Sequence, residues 1–98
     1  MIVRWTAAAT ADLRNTLDYL RAIDPAMASY LAERVEEVNR NIAALPRAAR
    51  YDAETGTYER YVPKTRIILV YLVHDEADEA EVIAAFHTSR DPAQKRRP

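Results

Sequence analysis

AAATADLRNTLDYLRAIDPAMASYLAERVEEVNRNIAALP, residues 7–46, decides the fold. Leu13, Leu17 and Leu20 recur at spacings of four and three, which places them on one face of a helix running from Ala7 to Ile23. Thr6, just before it, can cap the helix. Asp24-Pro25 then interrupts the pattern and restarts it, because Asp is a good N-cap and Pro suits the first helical position. The second helix is expected over about Pro25 to Leu45, with the stripe Met27, Leu31, Val35, Val38, Ile42, Leu45 on one side and charge on the other. Pro46 ends it. So short a connection forces the two helices back on each other as an antiparallel hairpin.

Upstream, Ile2, Val3 and Trp5 make Met1 to Trp5 a short strand. Downstream, Arg47 to Gly56 reads as a polar connection. The period then changes, giving strands at Tyr58 to Val62, Arg66 to His74 and Glu81 to His87, joined by Pro63-Lys64-Thr65 and by Asp75 to Ala80. Links this short imply antiparallel neighbours. Ile67 to Val73 is apolar on both faces, as suits a central strand. The expected fold is α+β: an N-terminal strand, an antiparallel helical hairpin, then a three-stranded antiparallel meander with the first strand added at an edge. Leu13, Leu17, Leu20, Leu31, Val35, Val38 and Ile42 should line the shared core. If His74 pairs with Glu81 and Val62 with Arg66, then Arg60, Ile68 and His87 share one face across three strands. A one-residue slip would destroy that alignment.

With 98 residues, 49% of them hydrophobic and 30% charged, the chain suits one globular domain. Residues 1–92 form that domain and 93–98 a loose basic tail. Cysteine is absent, which excludes disulfides, thiolate metal sites and cysteine nucleophiles. No run approaches the roughly 18 apolar residues of a membrane span, and no charged-then-apolar leader is visible, so a cytoplasmic location without membrane contact is expected. The net charge is −1, whereas proteins that grip nucleic acid through its phosphates are usually basic. Direct nucleic-acid binding by this chain alone is therefore not expected. Charge is unevenly spread: Asp75, Glu76, Asp78, Glu79 and Glu81 make one turn acidic, while Arg90, Lys95, Arg96 and Arg97 make the tail basic. The acidic turn lacks the glycine-containing ligand loop of a calcium site. There is no phosphate-cradling glycine loop and no nucleophile elbow, and neither metal nor cofactor is expected.

The order of elements and several local patterns resemble the ParE/RelE superfamily of toxins. The patterns are Trp5-Thr6-x-x-Ala9-x-x-Asp12-Leu13 at the start, Leu17-x-Tyr19-Leu20 in the first helix, and Pro25-x-x-Ala28 and Ile42-x-x-Leu45-Pro46 bounding the second. Arg60-x-Val62, Val70-Tyr71, and Val82 to Phe86 followed by His87-x-x-Arg90-x-Pro92 complete the match, which spans residues 3–92. Ala49-Arg50 departs from the Gly-Arg often found there. The resemblance implies the toxin of a bacterial type II toxin–antitoxin pair, causing growth arrest and neutralised by a cognate antitoxin. It leaves two branches open: ParE-like members inhibit DNA gyrase by binding, and RelE-like members are ribosome-dependent mRNA endonucleases.

Cleaving RNA requires a proton acceptor, a proton donor and cations for the transition state. His87 with Arg60, Arg66 and Arg90 is the set that could serve. The plainer reading of His87 is a strand-end histidine bonded to backbone. RelE-like members are generally very basic and carry a C-terminal tyrosine, whereas here no tyrosine follows Tyr71 and the only lysines are Lys64 and Lys95. These features favour the ParE branch, a non-enzymatic inhibitor with no catalytic residues. Arg60, Lys64, Arg66, Arg90, Lys95, Arg96 and Arg97 are then candidate target contacts. Trp5, Tyr19 and Tyr30 are the candidate antitoxin contacts.

Overall fold

The computed structural model of the chain describes residues 1–89. In chain order the elements are β1 (Ile2–Trp5), α1 (Ala7–Ile23), α2 (Pro25–Ala44), β2 (Arg50–Asp52), β3 (Thr57–Tyr61), β4 (Ile67–His74) and β5 (Glu79–His87). The strands form one sheet in the order β1-β5-β4-β3-β2, with β1 parallel to β5 and every other pair antiparallel. Both helix starts follow from side-chain chemistry. The Thr6 hydroxyl accepts the Ala9 N–H and the Asp24 carboxylate accepts the Met27 N–H, each at 3.1 Å, with Pro25 opening α2.

The meander has four strands, not three. β2 lies inside the stretch expected to be a polar connection, and tyrosines hold it there. Tyr51 packs on Tyr58 at 4.8 Å between ring centres, and Tyr58 stacks on Tyr71 at 5.6 Å. Gly56, at φ +71, lets the chain turn back between β2 and β3.

The register also differs from the expected one. His74 pairs with Glu79, not Glu81, because the chain reverses in the tight turn 75–78 with Asp78 at φ 51. A bulge then intervenes: Tyr71 faces Val82 but Val70 faces Ala84, leaving Ile83 as the extra residue. The Asp12 carboxylate of α1 accepts the Ala85 N–H at 3.1 Å, just past the bulge. His87 consequently lies opposite Ile67, and Arg60 opposite Leu69. Ile67 and Leu69 belong to the helix-facing core, whereas Ile68 belongs to the opposite face. Arg60 and His87 thus share a face, but two residues apart along β4 and without Ile68.

The hairpin packs on one side of the sheet. Leu31, Val35, Val38 and Ile42 are buried against Ile67, Leu69, Tyr71 and Val82, while Leu13, Leu17 and Leu20 pack partly buried at the margin. Among the described residues, no helix is long and apolar enough to cross a membrane.

β1 is tied to β5 by charge as well as by its ladder. Arg4 pairs with Glu79 and, at 3.0 Å, with Glu81, and His74 Nε2 lies 3.0 Å from Glu81. The His74 hydrogen bond, aided by the Arg4 charge, holds the Glu81 carboxyl below its ordinary value of 4.5. A depressed carboxyl pKa contributes stability above that ordinary value and loses it as pH falls through the lowered one. The unfolding free energy from urea titrations should therefore fall on acidification below pH 4.5, by well under about 1 kcal/mol from this site because the pair is reached by water. Glu81→Gln should remove that part of the acid dependence. An unchanged pH profile in the variant would refute the assignment.

Candidate functional site

A groove of about 880 Å³ opens at the end of the sheet where β3 turns into β4. α1 contributes Asn15, Thr16, Tyr19 and Leu20, α2 contributes Met27 and Leu31, and the sheet contributes Lys64 to Ile67, His87 and Ser89. The β3–β4 turn is internally fastened. The Thr65 hydroxyl donates to the Val62 carbonyl at 2.8 Å and accepts the Ile67 N–H at 3.1 Å. Lys64 sits in the left-handed region at φ 59, a conformation that costs a lysine roughly 1–2 kcal/mol. The turn presents Lys64 and Arg66 as exposed cations above an apolar floor of Leu20, Leu31 and Ile67.

His87 enters the groove half-buried, from the last position of β5. Its Nδ1 takes the backbone N–H of Ser89 at 3.2 Å and the Ser89 hydroxyl at 2.6 Å. A backbone N–H can only donate, so Nδ1 is the acceptor and the hydrogen of the neutral ring sits on Nε2.

Of the residues expected to carry function, the groove brings together Lys64, Arg66 and His87. Arg60 lies elsewhere: its guanidinium donates to the Leu45 carbonyl at the C-cap of α2, where a cation complements the helix dipole. Beside it the Tyr71 hydroxyl donates to the Pro46 carbonyl at 2.6 Å. Burial pushes the Tyr71 pKa up, partly offset by its contact with Arg60. Arg90, Lys95, Arg96 and Arg97 lie outside the described residues.

The three aromatic candidates occupy different settings. Trp5 packs half-buried against the core, its indole N–H donating to the Asn39 side chain at 3.0 Å. The Tyr30 hydroxyl donates to the Pro63 carbonyl at 3.3 Å, and the Arg34 guanidinium lies 5.3 Å from the centre of its ring. Tyr19 is 64% exposed at the groove lip, with Ile23 61% exposed one turn further on. Sequence reasoning missed Asp12 as the ligand of the β5 bulge. Asp12 stood in the pattern Trp5 to Leu13 and broke the apolar spacing beside Leu13, but neither signal names its partner.

A family model described as "ParE toxin of type II toxin-antitoxin system, parDE" matches residues 3–92. Among solved structures, the chain is similar to one from a chromosomal ParDE toxin–antitoxin system of P. aeruginosa. That match has a TM-score of 0.74 at 19% identity and covers 89% of this chain and 95% of that one. It is also similar to a YoeB/ParE toxin from Agrobacterium tumefaciens, with a TM-score of 0.61 at 18% identity over 89% of this chain and 98% of that one. No curated protein matches it by sequence.

Proposed function

Because the chain belongs to the ParE toxin family of type II toxin–antitoxin systems, we propose that it arrests growth in the cytoplasm by binding DNA gyrase, and that its cognate antitoxin prevents this. The observation that carries the non-enzymatic reading is the state of His87. Its Nδ1 accepts from Ser89 of its own chain, which supports a structural role for it in closing β5. The groove otherwise offers two cations, Lys64 and Arg66, above apolar side chains. That combination suits charge-guided recognition of a protein surface. Arg60, Arg90, Lys95, Arg96 and Arg97 are proposed as further target contacts, with no metal or cofactor taking part. The endonuclease reading keeps one supporting observation, that Lys64, Arg66 and His87 line a single groove.

The deciding experiment is induction in bacteria, with plasmid supercoiling and ribosome-dependent message cleavage followed side by side. Loss of negative supercoiling with intact messages is expected. His87→Asn should leave toxicity intact, since the amide oxygen can still accept from Ser89. Removal of residues 93–98 or Arg90→Ala should weaken it. Lys64→Gly separates function from folding: glycine relieves the left-handed strain but adds unfolded-chain entropy, so stability should change by less than about 1 kcal/mol. Weaker toxicity in that variant would report the lost cation. If His87→Asn abolishes toxicity, and messages are cut while supercoiling stays normal, the endonuclease reading replaces this one.

A further inference from the structure

Among the described residues, the sheet ends on β1 at one edge and on β2 at the other. An edge strand presents backbone N–H and C=O groups to a further strand, and proteins commonly guard such edges with proline, lysine or a bulge. β2 reads Arg50-Tyr51-Asp52, with neither proline nor lysine and with charges that cancel. Tyr51 is 54% exposed although it packs on Tyr58. It forms the outer end of the tyrosine ladder, which runs from Tyr71 through Tyr58 in steps of 5.6 and 4.8 Å.

We propose that β2 is the pairing edge for a second copy of this chain, joined antiparallel about Tyr51. Three residues with opposite charges at the two ends are complementary to themselves in that register. Tyr51 meets the partner's Tyr51, and Arg50 meets the partner's Asp52 on both sides of it. Opposed residues share a face and stand about 4.5–5.5 Å apart, close to the step of the existing ladder, so the ladder continues across the junction. The two ion pairs lie on the other face, where Arg50 already stands opposite Glu59. Other registers lose the fit. A slip of one residue sets Tyr51 against a charge, and a slip of two sets Arg50 against Arg50 or Asp52 against Asp52. The hairpins leave room for the pair. Each packs mainly on β4 and β5, and β3 and β2 separate β4 from the junction. The two β4 strands therefore stand about 24 Å apart, against a helix diameter of about 10–12 Å. The groove draws no lining residue from β2, so each copy keeps its own and the pair presents two. A contact three residues long is smaller than a stable interface, so the pair forms at high concentration and exchanges readily with single chains.

Sedimentation equilibrium of the full chain without antitoxin, from micromolar to millimolar concentration, should show a mass rising toward that of two chains. The mass of one chain throughout would overturn the proposal. Arg50→Asp and Asp52→Arg each oppose like charges, so each should weaken self-association about tenfold or more. Mixing the two variants restores both ion pairs in a mixed pair, and association should return to within a few-fold of the unsubstituted chain. Self-association that neither substitution weakens, or that mixing does not restore, would overturn the pairing. Should either variant fail to fold, the unsubstituted chain decides alone. Its amide NMR signals from residues 50–52 should move with concentration while those of α1 stay fixed, and movement centred elsewhere would overturn the proposal.

Discussion

Replacing Ile42 by alanine is expected to lower the unfolding free energy by about 2–5 kcal/mol. Ile42 is fully buried in α2, where the hairpin meets the sheet, in one cluster with Leu31, Val38 and Leu69. Truncation there removes apolar contacts and leaves a space that strands on one side and a helix on the other cannot close. A domain of this size has about 5–15 kcal/mol in total, so the variant should stand near the edge of folding. Leu17→Ala makes the control. Leu17 packs at the margin and is only partly buried, so its loss should cost clearly less. Urea midpoints should fall in that order with unchanged slopes. Equal costs for the two variants would mean that the hairpin does not bury its α2 stripe as described.

The elements that a local signal specifies were legible. Both helices were readable because the apolar period, the Thr6 and Asp24 caps and Pro25 agree on the same boundaries, and α1 and α2 begin and end within a residue of those expected. β4 was readable from its two-sided apolar run, and the edge position of β1 from its isolation ahead of the hairpin. What escaped is what contacts distant in sequence decide. Arg50–Asp52 has no apolar alternation, and a tyrosine ladder spanning three strands makes it a strand. The bulge at Ile83 is invisible in a run of apolar residues, since nothing in Val82 to Phe86 marks which one is extra. Its cause lies in the pairing with β4 and in Asp12, far away in the chain.

The site shows the same division. Lys64, Arg66 and His87 were legible as candidates because charged and titratable residues flanking strand ends are easily seen. Their convergence depended on register. Register moved Arg60 opposite Leu69, where it reaches the C-terminus of α2 and lies outside the groove. His87 still shares a face with Arg60 but lies opposite Ile67, not Ile68, and it has a partner, Ser89, that spacing alone does not suggest. The aromatic candidates separate by burial. Trp5 and Tyr30 are engaged within the fold, and Tyr19 is mostly exposed.

That exposure gives the second large expected effect. The type II toxin–antitoxin family implies an antitoxin partner, and the proposed contact with the largest exposed aromatic surface is Tyr19. A partner that binds only the folded chain adds about 4 kcal/mol of stability at a thousandfold excess over Kd. For a domain this small, that corresponds to a rise in melting temperature of at least about 15 °C. Equal melting temperatures with and without saturating antitoxin would contradict it. Tyr19→Ala is the informative variant. A side chain this exposed contributes little to the fold, so the free toxin should melt unchanged, while truncating an aromatic anchor should weaken antitoxin binding by about 2 kcal/mol or more. Tyr19 also lines the groove that holds Lys64 and Arg66. An antitoxin segment seated on it would stand in the mouth of the proposed target site, so neutralisation would require no change of shape, only occupancy. Antitoxin and gyrase should then compete for the toxin. Isolation of a complex holding all three, with the antitoxin still on Tyr19, would refute neutralisation by occlusion.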